Sequence, residues 1–200
     1  MRATGDRCSS LRGDLARGFD VERRARGHVV TPLLRRAFTV ALFFYGLYDL
    51  SHLGRGTLLD AVDLPIHETG HLVFGPFGEF IGFAGGTLFQ LIMPAAFVVY
   101  FARRKDGHSA SVALWWVAQN CGNIAVYAAD ARSQQLPLVG GGEHDWAYLL
   151  GELGVLQRDQ QVAAGIRVLG WLLLAASTAW GLWSADARAI SVDEAVQLPA

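Results

Sequence analysis

Long apolar runs separated by short polar loops dominate this chain, and their length limits what it can become. A hydrocarbon layer about 30 Å thick takes roughly 20 apolar residues in a helix to cross. Residues 81–102 (IGFAGGTLFQLIMPAAFVVYFA), 110–129 (ASVALWWVAQNCGNIAVYAA) and 162–183 (VAAGIRVLGWLLLAASTAWGLW) meet that length. A shorter run, 37–50 (AFTVALFFYGLYDL), reaches it with its flanks. Residues 58–75 and 146–156 are apolar but too short, or too interrupted by Asp63, Pro65, Glu68 and Glu152, to cross. The expected fold class is all-α, a polytopic helical membrane protein with about four transmembrane spans and two short interfacial or re-entrant helices. A hydrophobic content of 52%, a charged content of 18% and a mean hydropathy of +0.28 agree with it.

Charge divides the chain into three parts. Nine arginines precede the first apolar run, against Asp6, Asp14, Asp20 and Glu22, so residues 1–34 read as a basic, mobile, cytoplasmic arm. No apolar segment follows the first positive charges closely enough for a secretory signal. The acids interspersed in the arm, and its lack of interleaved aromatics, argue against a nucleic-acid partner. Residues 35–184 form the expected helical membrane domain, and 185–200 a C-terminal tail. Cys8 and Cys121 have no metal-type partner cysteine and fall in unlike surroundings, so no disulfide is expected.

Orientation follows from the tendency of short loops rich in Lys and Arg to stay in the cytoplasm. Arg35 and Arg36 put the start of the first span inside, and Arg103, Arg104 and Lys105 put the loop after 81–102 inside. Both termini are then cytoplasmic, while residues 51–80 and 131–145 face the extracytoplasmic side of a cell (inner) membrane. Two histidine-bearing stretches, HETGH and GEHDW, thereby meet on one side.

HETGH places His67, Glu68 and His71 in the spacing H-E-x-x-H. Residues four apart lie on one helix face, so both imidazoles can reach one metal ion. Glu68, beside the pair, is set to take a proton from a water that a divalent ion such as Zn2+ has acidified. Asp63 is a natural N-cap and Pro65 suits a first turn. Gly70 in mid-helix would be explained by a close approach of another helix or of substrate, and equally by simple tolerance. The bland alternative, two histidines falling into this spacing, leaves three ionisable groups uncompensated beside a membrane core.

A catalytic zinc takes three protein ligands and keeps a fourth position open, so a third ligand is needed. His144 is the first candidate, because the turn Gly140–Gly142 lets it fold back, with Asp145 as a carboxylate orienting a ligand imidazole. Asp130 is the alternative third ligand. It ends a polar stripe of Asn120, Asn123, Tyr127 and Asp130, which marks the interior face of its span; Asn120 and Asn123 stand as residues supporting the ligands or contacting substrate. Glu79 ranks behind these, and His52 reads as structural. Gln90 is a buried polar group that needs a partner, Gly85 and Gly86 allow close helix packing, and Trp115, Trp116 and Trp146 read as interfacial belt aromatics.

The stretch HETGHLVFGPFGEFIGFAGGT, within residues 63–94, resembles the membrane-embedded zinc metalloproteases of the site-2-protease type. The resemblance implies that His67 and His71 bind zinc and that Glu68 is the catalytic base. It also implies an aspartate as third ligand on a later span, where Asp130 stands. The expected function is a membrane-embedded zinc metallopeptidase acting on a peptide or membrane-protein substrate within the lipid bilayer. A haem-binding four-span bundle and a non-catalytic membrane protein are the competing expectations. The first predicts a visible Soret band and gives Glu68 no role.

Overall fold

The structure, a computed structural model, describes residues 32–52, 57–138 and 142–196. Most of the basic arm expected over 1–34 lies outside them. The described residues form six helices and no strand. They are α1 (32–51), α2 (Asp60–Phe74), α3 (Glu79–Arg103), α4 (Gly107–Ala129), α5 (Asp145–Glu152) and α6 (Asp159–Val196). A short 3-10 turn, Gly75–Phe77, joins α2 to α3. The short segments expected over 58–75 and 146–156 are α2 and α5. The boundary expected at 184/185 falls inside α6, which runs on unbroken to Val196.

Two helices, α3 and the stretch Leu156–Asp186 ending in α6, are long and apolar enough to cross a membrane. Helix α4 has the length but is not apolar enough. It packs along α6 on one side and against α3 on the other, and twelve of its residues from Ala110 to Ala128 are buried, Ala118 to Gly122 in an unbroken run. Leu50, Trp115, Ala118 and Leu174 form the core cluster, with Leu42, Phe43, Trp116 and Trp171 against it. Trp115 donates its indole N–H to the Leu42 carbonyl at 2.8 Å, and Trp116 donates to Asp63 Oδ1 at 2.9 Å. Neither is a belt aromatic, because α4 turns this face toward α1 and α2 and each indole nitrogen finds an acceptor there. Large apolar residues instead stand exposed on α1, α3 and α6, among them Phe44, Leu88, Ile92, Leu172 and Trp183.

Helix α2 begins one turn earlier than the sequence suggested. Its start is tied down by Asp60, whose carboxylate accepts the N–H of Thr57. Asp63 is therefore not the N-cap but an interior residue, 1% exposed and held by Trp116. Pro65 sits inside the helix, where it removes one backbone hydrogen bond rather than fitting a turn that lacks one.

Helices α2 and α3 cross through two glycines. A Cβ at Gly70 would lie 2.2 Å from the Gly85 carbonyl oxygen, and one at Gly85 would lie 2.6 Å from the Gly70 oxygen. Both obstacles are backbone, so neither can turn aside. Overpacking of this kind costs about 1–3 kcal/mol or more. Gly70→Ala is expected to lower the thermal unfolding midpoint in detergent micelles. Gly165→Ala, whose Cβ would meet nothing within 4 Å, should leave it level or raise it slightly.

Candidate metal centre

The α2–α3 crossing sets His67 and His71 side by side, their ring centroids 4.9 Å apart. His67 is 8% exposed and His71 is half-buried. Each ring is held from behind. Nδ1 of His71 faces the Gly82 carbonyl at 2.8 Å, and Nδ1 of His67 faces Gln90 Oε1 at 3.2 Å. Both partners are acceptors, so each Nδ1 carries the proton and each Nε2 turns a lone pair forward. A Cβ on Gly86 would stand 2.5 Å from His67 Nε2, so this glycine is the floor on which the ring lies.

Both Nε2 atoms point at one oxygen. Asp145 Oδ2 lies 2.9 Å from His67 Nε2 and 3.3 Å from His71 Nε2, and the three ligating atoms all fall within 4.8 Å of one another. Two lone pairs facing a carboxylate repel unless positive charge stands between them, and either protons or a metal ion supply it. Without metal, a proton on His71 supplies it. The Asp145 carboxylate, the Gly82 carbonyl and Glu68 raise His71 to about 9 against the effect of burial. Burial alone would raise Asp145, but the two imidazoles prevail and hold it below the usual carboxylate range. With metal, ligands at about 2.0–2.1 Å on a tetrahedron lie about 3.3 Å apart. The His71–Asp145 separation has that value, and the His67–Asp145 pair needs to open by about 0.4 Å. His67, His71 and Asp145 could thus hold a metal ion.

Asp145, expected to orient a ligand, is the third member of the cluster that could hold an ion, and His144 stands outside that cluster. Helix α5 starts at Asp145, which makes His144 its N-cap. The His144 Nδ1 accepts the N–H of Ala147 at 3.3 Å, and its ring, 1% exposed, lies against Tyr127 with centroids 4.3 Å apart. The next side chain, Asp145, is the one that faces the histidines. The alternative ligand, Asp130, is also engaged elsewhere. Its carboxylate accepts from Ser133 Oγ at 2.6 Å and from the N–H groups of Gln135 and Leu136 at 2.9 Å each, closing the loop that leaves α4. His144 Nε2 comes within 3.6 Å of Asp130 Oδ2, so the two form a pair behind the centre.

Other expected residues fall in different places. Glu68 and Glu79 line a cleft of about 450 Å3 with His67, His71, Tyr127 and Asp145. Asn123 bonds Gln90, whereas Asn120 donates to the Trp116 carbonyl at 3.0 Å, away from the centre. His52 bonds its own helix at Tyr48 and takes no part. Sequence reading missed the Gly82 carbonyl, a backbone group without a residue signature. It noted Gln90 and Tyr127 without placing them beside His67. The phenol oxygen of Tyr127 accepts the N–H of Asp145 at 3.4 Å, and the Tyr148 ring stacks on Phe83 at 4.1 Å. These contacts hold α5 where Asp145 meets the histidines. The chain matches no protein-family model, no curated protein and no solved structure.

Asp145→Ala should weaken binding of a divalent ion by more than the roughly 10–100-fold typical of losing a group that only supports a ligand. Asp130→Asn should leave it within a few-fold, as read by competition with a chromophoric chelator. Asp130 also predicts an acid response. Burial would raise its pKa, but bonds from Ser133, Gln135 and Leu136 hold it below the ordinary carboxylate range. Its contribution is present above the unfolded value of about 3.9 and is lost as pH falls through the lower folded value. Unfolding midpoints measured from pH 6 to pH 3 should fall less steeply in Asp130→Asn than in the parent.

Proposed function

We propose that this protein is a membrane-embedded zinc-dependent hydrolase, a metallopeptidase whose centre is His67, His71 and Asp145 and whose general base is Glu68. The observation that carries the reading is the convergence of two Nε2 lone pairs on Asp145 Oδ2, each imidazole braced at Nδ1. Two nitrogens and one carboxylate oxygen are a donor set that suits zinc and leaves a fourth position for chemistry. Zinc bound there would polarise a substrate carbonyl and bring the pKa of a water toward 7.

The chain's own groups have separate tasks. Glu68, half-buried and one position along from His67, borders the cleft with no hydrogen bond or ion pair among the described residues. Its carboxylate is free to accept the proton of an attacking water and return it to the leaving amine. Gly75, Gly78 and Gly82 along the same cleft keep side chains out of the approach of an extended peptide. Phe83 and Leu138 give that approach an apolar border.

Setting in a membrane is supported by α3 and the Leu156–Asp186 stretch, and by apolar residues exposed along α1, α3 and α6. A contiguous apolar surface of this kind is rare on a protein surrounded by water. The arginine-rich loop Arg103–Lys105 then belongs to the cytoplasmic side of a cell membrane and the cleft to the opposite side. The site-2-protease-type resemblance of residues 63–94 agrees with the peptidase reading at His67, Glu68 and His71 only, because Asp145 stands on the short α5 and not on a later span, where the resemblance implies an aspartate.

Purified protein in detergent should bind one zinc ion per chain and cleave a fluorophore-quenched casein. Glu68→Gln should keep the zinc and lose roughly 10²–10⁴-fold in rate, the range attributed to a positioned general base. Casein cleavage by Glu68→Gln at the parental rate would remove Glu68 from this role.

A further inference from the structure

A continuous chain of polar side chains runs behind His67. Its Nδ1 faces Gln90 Oε1 at 3.2 Å, Gln90 Nε2 donates to Asn123 Oδ1 at 2.9 Å, and Asn123 Nδ2 donates to Asp60 Oδ1 at 2.9 Å. The chain leaves α2, passes through α3 and α4 and returns to α2 two turns before His67. Gln90, at its middle, is 3% exposed.

Direction along such a chain is fixed at one end. Each amide offers a donor at one end and an acceptor at the other, so Gln90 and Asn123 could be turned either way. A carboxylate can only accept. Asp60 therefore takes the nitrogen of Asn123, which turns the Asn123 oxygen toward Gln90, which in turn presents the Gln90 oxygen to His67. The imidazole must answer with a proton on Nδ1, and the Nε2 lone pair is left for the metal.

We infer that Asp60 and Asn123 are positioning residues for the metal ligand His67, with the Asp60 charge setting its tautomer through two amides. This rests on the metal-centre reading of His67 and not on peptide hydrolysis. Asp60→Asn frees the chain to reverse. The Gln90 nitrogen then faces Nδ1, the proton moves to Nε2, and an Nε2–H cannot ligate. The substitution is mild toward the fold, because Asp60 stands near Asp49 and Asp63 and its charge repels both.

The test uses the full chain in detergent micelles. With Asp145→Ala removing the carboxylate that otherwise draws a proton to Nε2, imidazole nitrogen shifts of His67 recorded without metal should report the Nδ1–H tautomer. Asp60→Asn should raise the Nε2–H fraction and weaken zinc binding by about 10–100-fold, as the loss of outer-shell partners does elsewhere. A double-mutant cycle separates relay from mere support. Once Gln90→Leu has cut the chain, adding Asp60→Asn should cost no further zinc affinity. Additive losses, or an unchanged tautomer in Asp60→Asn with zinc affinity within twofold of the parent, would overturn the inference. If the parent itself binds no zinc, the metal reading falls, and the tautomer comparison still decides whether Asp60 governs His67.

Discussion

A carboxylate and two imidazoles buried between apolar helices are tolerable only if their charges and lone pairs compensate one another. Asp145 Oδ2 lies within 3.3 Å of Nε2 of both histidines, and much of the remaining architecture keeps it there. The Gly70–Gly85 crossing brings α2 onto α3 closely enough for Gly86 to underlie His67. The Tyr127 phenol and the Phe83–Tyr148 stack hold α5 over that crossing. Separating any of these would strand a charge in an apolar setting, so the centre and the packing around it depend on each other.

Spacing along a single helix was legible in the sequence, and it accounts for the part of the centre that the residues themselves reveal. His67 and His71 share a face because residues four apart always do, and the demand of Gln90 for a partner comes from a polar amide within an apolar run. The third member of the cluster could not be read in the same way. His144 and Asp145 are neighbours, and which of them faces the histidines depends on where α5 begins. A glycine-rich turn carries no periodicity that would set that start. A shift of one residue would exchange the roles of cap and ligand.

Hydropathy had a related limit in the fold. It measures how apolar a segment is and not which way its residues face. Residues 110–129 and 162–183 both have the length of a span, and only the second is also apolar enough to cross; α4 turns its apolar residues inward, while α6 leaves Leu169, Leu172 and Trp183 exposed. Trp115 and Trp116 face the interior for that reason, and not a membrane interface. The distinguishing signal lay in small and polar residues. Ala110, Ala113, Ala118, Gln119, Asn120 and Gly122 are what a helix needs when other helices approach it from several sides.

Most of the buried carboxylates around the centre are held by donors, although Asp63 Oδ2 has none among the described residues. Asp60 accepts from Thr57 and Asn123, Asp63 from Trp116, Asp130 from three donors, and Asp145 meets both histidines. Each of these groups is consumed in holding a helix start, a loop or a ligand in place. Glu68 differs, because it stands at the cleft beside the same histidines with no such duty. Its charge helps to raise His71, so it is coupled to the centre without anchoring a helix or a loop.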